Sequence, residues 1–366
     1  MSHSDKRVFL TGASGFIASH ILADLIELGY QTTASVRSET KAQEILNLHP
    51  EWKGKVTFVF VKDIATPGAF DDVFKQEKNG FDYIIHTASP VNFNVTDFQK
   101  DLIDPAIQGY VANSIPHAGG PQVKRLVLLG SAVSVLDSFQ DVSVAGADYT
   151  EKDWNPVTAA SAIESKNAVL GYNASKKLAE KAAWKFLEDN KPAFDLTVMN
   201  PDIIIGPMLQ PVHGSKNVNE TNNFAVYNFL NGTYKQIKGL TFPFYHFVDV
   251  RNVSRAHILS LSNPAASNQR ILLISDLITP QLIINNIRKH FPELKERIIE
   301  GNPSQILPDN VKPTGWNTKK SYDVFGKEWA YIDLETSVVD TVQDLLRLEK
   351  EWHTLEVHQE QIGGAH

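Results

Sequence analysis

The stretch VLGYNASKKLAEKAAWKF, residues 169–186, places one tyrosine, Tyr172, ahead of two adjacent lysines, Lys176 and Lys177. On a helix, residues four apart share a face, while adjacent residues diverge by about 100°. Tyr172 and Lys176 are therefore expected to point together, with Lys177 turned to solvent. A phenol with a pKa near 10 is a poor acid or base at neutral pH. An ammonium beside it stabilises phenolate and lowers that pKa. Such a pair can deliver a proton to a carbonyl oxygen as hydride reaches the carbonyl carbon, and the lysine can also hold a nicotinamide ribose. The oxygen needs a second hydroxyl to polarise it. RLVLLGSAVSV supplies Ser131 at the C-terminal end of a strand, where open α/β sheets bind ligands. Ser134 is the rival, deeper in the following segment.

A hydride donor needs its own site. VFLTGASGFIASH sets Gly12, Gly15 and Ala18 between a strand and a helix. The first glycine permits a tight turn, the second lets backbone approach a pyrophosphate, and the small third residue lets helix pack on strand. The helix N-terminus then offers free N–H groups to phosphate. Gly12, Ser14, Gly15, Phe16 and Ile17 are the cofactor-binding candidates here. A carboxylate at the end of the second strand marks NAD sites, whereas an arginine there meets the 2′-phosphate of NADP. TTASVRSETK carries no carboxylate at that strand end. Arg37 stands in its place, with Lys41 one turn on, so NADPH is the expected cofactor. Asp63 and Ile64, after the third strand, are placed to flank the adenine. Thr87, Ala88 and Ser89 of HTASP end the fourth strand beside the cofactor.

The elements that must position these groups alternate. Strands are expected at 7–11, 31–36, 56–61, 83–86, 125–129 and 196–199. Helices are expected at 16–28, 41–48, 69–76, within 97–114, and around 172–187. Strands separated by helices are the signature of right-handed βαβ units, hence a doubly wound parallel α/β sheet. The rhythm breaks after Asn200. Helices then follow at 224–230, 250–261, from Thr279-Pro280, and at 333–348, with a strand at 270–274. Residues 1–200 read as the dinucleotide-binding domain. Residues 201–366 read mainly as a substrate-binding region, interleaved with it near 240–262. The polar end, HQEQIGGAH, is expected to fray.

The 366 residues hold 42% hydrophobic side chains, ample for a large core, and no cysteine, which excludes disulfides and thiolate metal sites. A net charge of −7 argues against a nucleic-acid partner. No apolar run reaches the ~18–20 residues that span a bilayer, and MSHSDKRVFL enters a strand without an apolar leader. A cytoplasmic protein without membrane contact is expected, monomer or dimer left open.

TGASGFIA, VRSETK, HTASPVNF, GSAVSV, YNASKKLAEKAAWKF, NPDIIIGP and FVDVRNVSRAH resemble, in order, the extended short-chain dehydrogenase/reductases. Within them the chain is most similar to fungal NADPH-dependent aldehyde and ketone reductases of the yeast methylglyoxal reductase type, and to plant dihydroflavonol reductases. The resemblance implies a Ser131–Tyr172–Lys176 triad, Asn200 and Pro201 bordering the nicotinamide, and a small carbonyl substrate held in a cleft between the two regions. Val91, Phe93, Ala132, Val133 and Ile203 are the candidate walls of that pocket. Two departures stand out. Gln108-Gly109 replaces the usual asparagine and glycine, and the longer amide is expected to alter local water or lysine contacts. Gly130 and Ala132 flank the serine where relatives carry larger residues, which is expected to enlarge the pocket. A cofactor-sensing protein without catalysis, or a nucleotide-sugar epimerase or dehydratase, are the alternatives. The first commonly loses the tyrosine or lysine, both of which are present here. The second needs a basic nucleotide site, and no clear basic cluster appears around 210–238.

Overall fold

The computed structural model describes residues 3–89, 97–109, 122–144, 146–240 and 245–363. Its centre is a parallel seven-stranded sheet in the order β3-β2-β1-β4-β5-β6-β9. The strands are β1 (Arg7–Thr11), β2 (Gln31–Val36), β3 (Val56–Phe60), β4 (Tyr83–His86), β5 (Arg125–Leu129), β6 (Asp195–Pro201) and β9 (Gln269–Leu273). Residues such as Phe9, Ile84, Ile85, Val127 and Val198 are fully buried. Helices cover both faces of such a sheet, so its strands read as continuous apolar runs rather than alternating ones. The chain builds outward from β1 to β3, then returns to β4 on the other side of β1. The crevice above the C-terminal ends of β1 and β4 is the switch point where such sheets take ligands.

Each local signal has a structural counterpart. Helix Phe16–Glu27 starts at Gly15 and stops before Gly29, which adopts φ +79°. The Tyr30 N–H donates to Leu25 O across that turn. Ser38 caps helix Glu39–Leu48, and Asn167 caps helix Ala168–Asn190. Thr279 caps helix Pro280–His290, with the proline in its first turn. Helix Val250–Ser260 comes back to pack on Phe16–Glu27, and β9 completes the main sheet beside β6. Residues beyond 201 therefore build part of the central layer.

Three strands were not legible in the sequence: β7 (Ile203–Ile205), β8 (His246–Asp249) and β10 (Asp276–Leu277). They form a second, three-stranded sheet. Runs this short carry no usable period. One residue, Asp202, separates β6 from β7, so the chain changes sheets there. Beneath the small sheet, Phe229, Ile283, Ile287, Val338, Val342 and Leu345 form a core of their own. The last helix runs Leu334–Gly363, well past the expected end at 348 and into the polar segment expected to fray. Past Trp352 no proline intervenes, and Leu355, Glu356, Gln359, Glu360 and Gln361 are good helix formers, so composition does not stop it. Within 97–114 the described part is a π-turn, Gln99–Ile103, followed by one α-turn, Asp104–Ile107.

Candidate active site

The glycine turn is built for close approach. Gly12 sits at φ +75°, a left-handed backbone that disfavours a side chain. A Cβ there would also meet Ala88 at 3.1 Å. The turn is therefore pressed against the end of β4. Thr11 stitches the two strand ends together: its Oγ1 accepts the N–H groups of Thr87 and Ala88, each at 3.1 Å, and lies 3.0 Å from His86 Nδ1. Burial and the Lys176 charge pull the His86 imidazole down to about 3, so it stays neutral. No side chain caps the helix at Gly15. Its first-turn N–H groups remain open to an anion, beside half-buried Ser14. Phe16 and Ile17 then enter the wall of a cleft of about 730 Å³.

That cleft brings Ser131, Tyr172 and Lys176 together, with Thr87, Ser89, Val133, Pro201 and Ile203. Ser131 lies two residues beyond β5 and opens a short turn, its Oγ accepting the Val133 N–H at 3.4 Å. Tyr172 and Lys176 lie on helix Ala168–Asn190, with the ammonium 5.7 Å from the phenol ring centre. Lys176 Nζ donates to Ser89 Oγ at 3.0 Å. Burial alone pulls this lysine down to about 8. Tyr172 moves the other way. Burial pushes its pKa up and a hydrogen bond with Ser131 partly offsets this, so the expected lowering by the ammonium is overridden. The phenol is held protonated. Ser134 is fully buried behind this wall, its N–H donating to Ser131 O, and it does not reach the cleft.

A support was missed in the sequence. Glu180 continues the Tyr172–Lys176 stripe by another four residues and is fully buried. Its Oε2 accepts from Asn200 Nδ2 at 2.9 Å, and its Oε1 accepts from Arg270 Nε at 2.6 Å. Arg270 stacks on Trp154 at 3.7 Å and donates to the carbonyls of Glu151 and Asp153. Asn200 Nδ2 also donates to the Ser131 carbonyl at 3.1 Å. The spacing of 172, 176 and 180 could have flagged the glutamate, because a polar stripe on an inward helix face needs partners. The arginine's distance in sequence hid the pair.

Other expected residues lie elsewhere. Asn200 is fully buried behind Ser131, whereas Pro201 reaches the cleft. Ala132 is also fully buried, packed with Val135, Leu136, Leu272 and Ile274, so it is no pocket wall. Val91 and Phe93 lie outside the described residues. Gly130 borders the cleft, but a Cβ on it would point inward, 2.7 Å from Asn200 Nδ2 and 2.9 Å from Val198 Cγ1. The glycine permits close packing of β5 on β6 and does not enlarge the pocket. Gln108 is exposed, so its longer amide meets solvent rather than the lysine. Lys177 is not a solvent residue either: it is buried, and Nζ donates to Val157 O at 2.6 Å. Helix Ala159–Ser165 packs against this side, giving the long helix a second covered face. Arg37 is exposed one residue beyond β2, and no carboxylate pairs with it among the described residues. Lys41 is engaged with Glu44 at 2.8 Å. Asp63 is exposed, Ile64 half-buried, and neither borders the cleft.

Residues 8–275 match the family described as NAD dependent epimerase/dehydratase. The chain belongs to that family. Its resemblance to members of the epimerase/dehydratase family runs nearly end to end. It is 36% identical to a ketoreductase of Aspergillus niger, over 93% of this chain and 98% of that protein. It is 32% identical to the NADPH-dependent methylglyoxal reductase of Saccharomyces cerevisiae, over 93% of this chain and 98% of that protein. The crystal structure of yeast methylglyoxal/isovaleraldehyde reductase complexed with NADPH superposes with a TM-score of 0.82 at 29% identity, covering 94% of this chain and 99% of that one. Within the epimerase/dehydratase family, then, the similar proteins named here are reductases.

Proposed function

We propose that this protein is an NADPH-dependent carbonyl reductase that converts aldehydes or ketones to alcohols. The observation that carries the reading is that Ser131, Tyr172 and Lys176 line one cleft together with Phe16 and Ile17, the residues that follow the glycine turn. The turn fits a dinucleotide: a Cβ would fill the cradle at Gly12, and the uncapped helix start after it suits a pyrophosphate. Gly12, Ser14, Gly15, Phe16 and Ile17 would hold that part of the cofactor, and Arg37, with Lys41 secondary, its 2′-phosphate. Thr87, Ala88 and Ser89 would border its nicotinamide half, with Pro201 and Ile203 opposite. When bound, NADPH supplies a hydride to the carbonyl carbon.

The chain's own groups handle the oxygen. The Ser131 and Tyr172 hydroxyls donate to the carbonyl oxygen and draw electron density toward it. As negative charge develops there, the O–H proton of Tyr172 passes to it, leaving phenolate and alcohol. A phenol held protonated by burial is in the right state to give that proton. The Lys176 ammonium, oriented by Ser89, stabilises the phenolate that remains. Buried Val133 and Ile203 exclude water from the reacting face. Among the described residues, Lys176 is the sole lysine or arginine bordering the cleft, which favours a small carbonyl compound over a nucleotide-sugar diphosphate.

Oxidation of NADPH, followed at 340 nm with a panel of ketones, tests the reading. Tyr172→Phe should cost about 10²–10⁴-fold in turnover, the usual contribution of a general acid. Ser131→Ala should cost on the order of 10²-fold, while Ser134→Ala costs little. Turnover of Tyr172→Phe within threefold of the parent would overturn it.

A further inference from the structure

Asp202 occupies the single position between β6 and β7, where the chain leaves one sheet for the other. Its carboxyl is buried, with the residue only 8% exposed. One oxygen accepts the Ile203 N–H at 2.9 Å. The other, Oδ2, has no hydrogen-bond partner among the described residues. Asp202 borders the 730 Å³ cleft on the same hollow as Ser131 and Tyr172. It also borders a small cavity on its other side, with Tyr149, Tyr245 and His246. An unpaired carboxyl in such a place is costly to ionise, and burial pushes Asp202 well above the usual carboxylate range.

The cleft's charges point one way. Glu220 adds a second carboxyl at the exposed rim. The sole basic side chain bordering the cleft among the described residues, Lys176, is bonded to Ser89. A substrate carrying positive charge would find two carboxyl side chains lining the cleft, Glu220 at its rim and Asp202 deeper in, where Oδ2 is shielded from solvent and has no partner among the described residues. An opposite charge within about 4–6 Å restores the ionised form of a buried carboxyl. A neutral substrate leaves the acceptor unpaired.

We infer that Asp202 is a specificity residue that receives the ammonium group of an amine-bearing ketone or aldehyde while its carbonyl lies against Ser131 and Tyr172. The inference rests on the reductase reading for its turnover test, but not for its binding test.

Dimethylaminoacetone and isobutyl methyl ketone share a heavy-atom skeleton and differ in a protonated nitrogen against a carbon. At pH 6.5 with saturating NADPH, the protein should favour the amine by about tenfold or more in kcat/KM, the scale of one charge-assisted hydrogen bond. Asp202→Asn keeps the shape and removes the charge, and should bring the ratio of the two substrates to parity. Because the readout is a ratio, any general loss in the variant cancels. Parity in the parent protein overturns the proposal without recourse to a variant, and so does a preference that survives Asp202→Asn. If neither ketone is reduced, the reductase reading fails. Calorimetric titration of the NADPH-loaded protein then decides the proposal separately. Binding of the amine at least about tenfold tighter than its neutral isostere supports it, and equal binding overturns it.

Discussion

The Asn200 amide and the Glu180 carboxylate meet at 2.9 Å behind Ser131, inside a layer that no solvent reaches. Through Asn200, the long helix that carries Tyr172 and Lys176 is tied to the carbonyl of Ser131. The proton donor and the polarising serine therefore share one buried brace.

Breaking that brace should damage both fold and rate. Glu180→Leu leaves Arg270 buried without its carboxylate, and removing one partner of a buried pair costs about 3–5 kcal/mol. Urea unfolding should show a loss of that order. Glu180→Gln keeps the acceptor for Asn200 but loses the ion pair. It should lose stability while keeping a larger share of kcat than Glu180→Leu. Identical kcat in the two variants would show that the brace does not position Ser131.

The two adjacent lysines should separate cleanly by assay. Lys176→Met should abolish most reduction. Lys177→Met leaves the Val157 carbonyl unpaired in a covered site, which costs about 1–3 kcal/mol in stability. Its kcat should stay close to that of the parent. Melting curves and turnover together check this. A Lys177 variant as stable as the parent would mean that the bond to Val157 contributes nothing.

Burial pulls the Lys176 ammonium down to about 8, and this has two consequences of opposite sign. For activity, the charged form dominates below that pH, so kcat/KM for NADPH should fall as pH rises through about 8. A profile flat to pH 9.5 would contradict this. For stability, a base with a lowered folded pKa carries its penalty in full below about 8. Between there and the unfolded lysine value near 10.4, the unfolded chain binds more protons, so stability rises with pH. The stability of the parent relative to Lys176→Met should therefore improve by up to about 1.4 kcal/mol per pH unit within that window.

Cofactor choice should rest on Arg37. It is exposed and unpaired by any carboxylate among the described residues, whereas Lys41 is committed to Glu44. Arg37→Ala should raise the Michaelis constant for NADPH about tenfold, the lower end for a charge-assisted contact at an exposed site, and leave that for NADH nearly unchanged. Lys41→Ala should do less. Equal damage to both cofactors in Arg37→Ala would reduce the arginine to a solvated surface residue.

The sequence by itself determined the parallel sheet, the glycine turn, and the shared face of Tyr172 and Lys176. Those rest on local rules: apolar runs between turn residues, glycine at a strand–helix junction, and a step of four on a helix. Only the tertiary structure decided what surrounds them. Lys177 looked solvent-facing because helical geometry says which way a residue points, not whether another helix covers that side. Gly130 looked like extra pocket space because sequence does not reveal that its missing Cβ faces Asn200 and Val198. The three short strands between Ile203 and Leu277 carry too few residues to show a period. Arg270 finds Glu180 across 90 residues of chain, and Asp202 becomes a lone buried carboxyl only because two sheets part at that residue. Long-range packing sets each of these, and no local pattern records it.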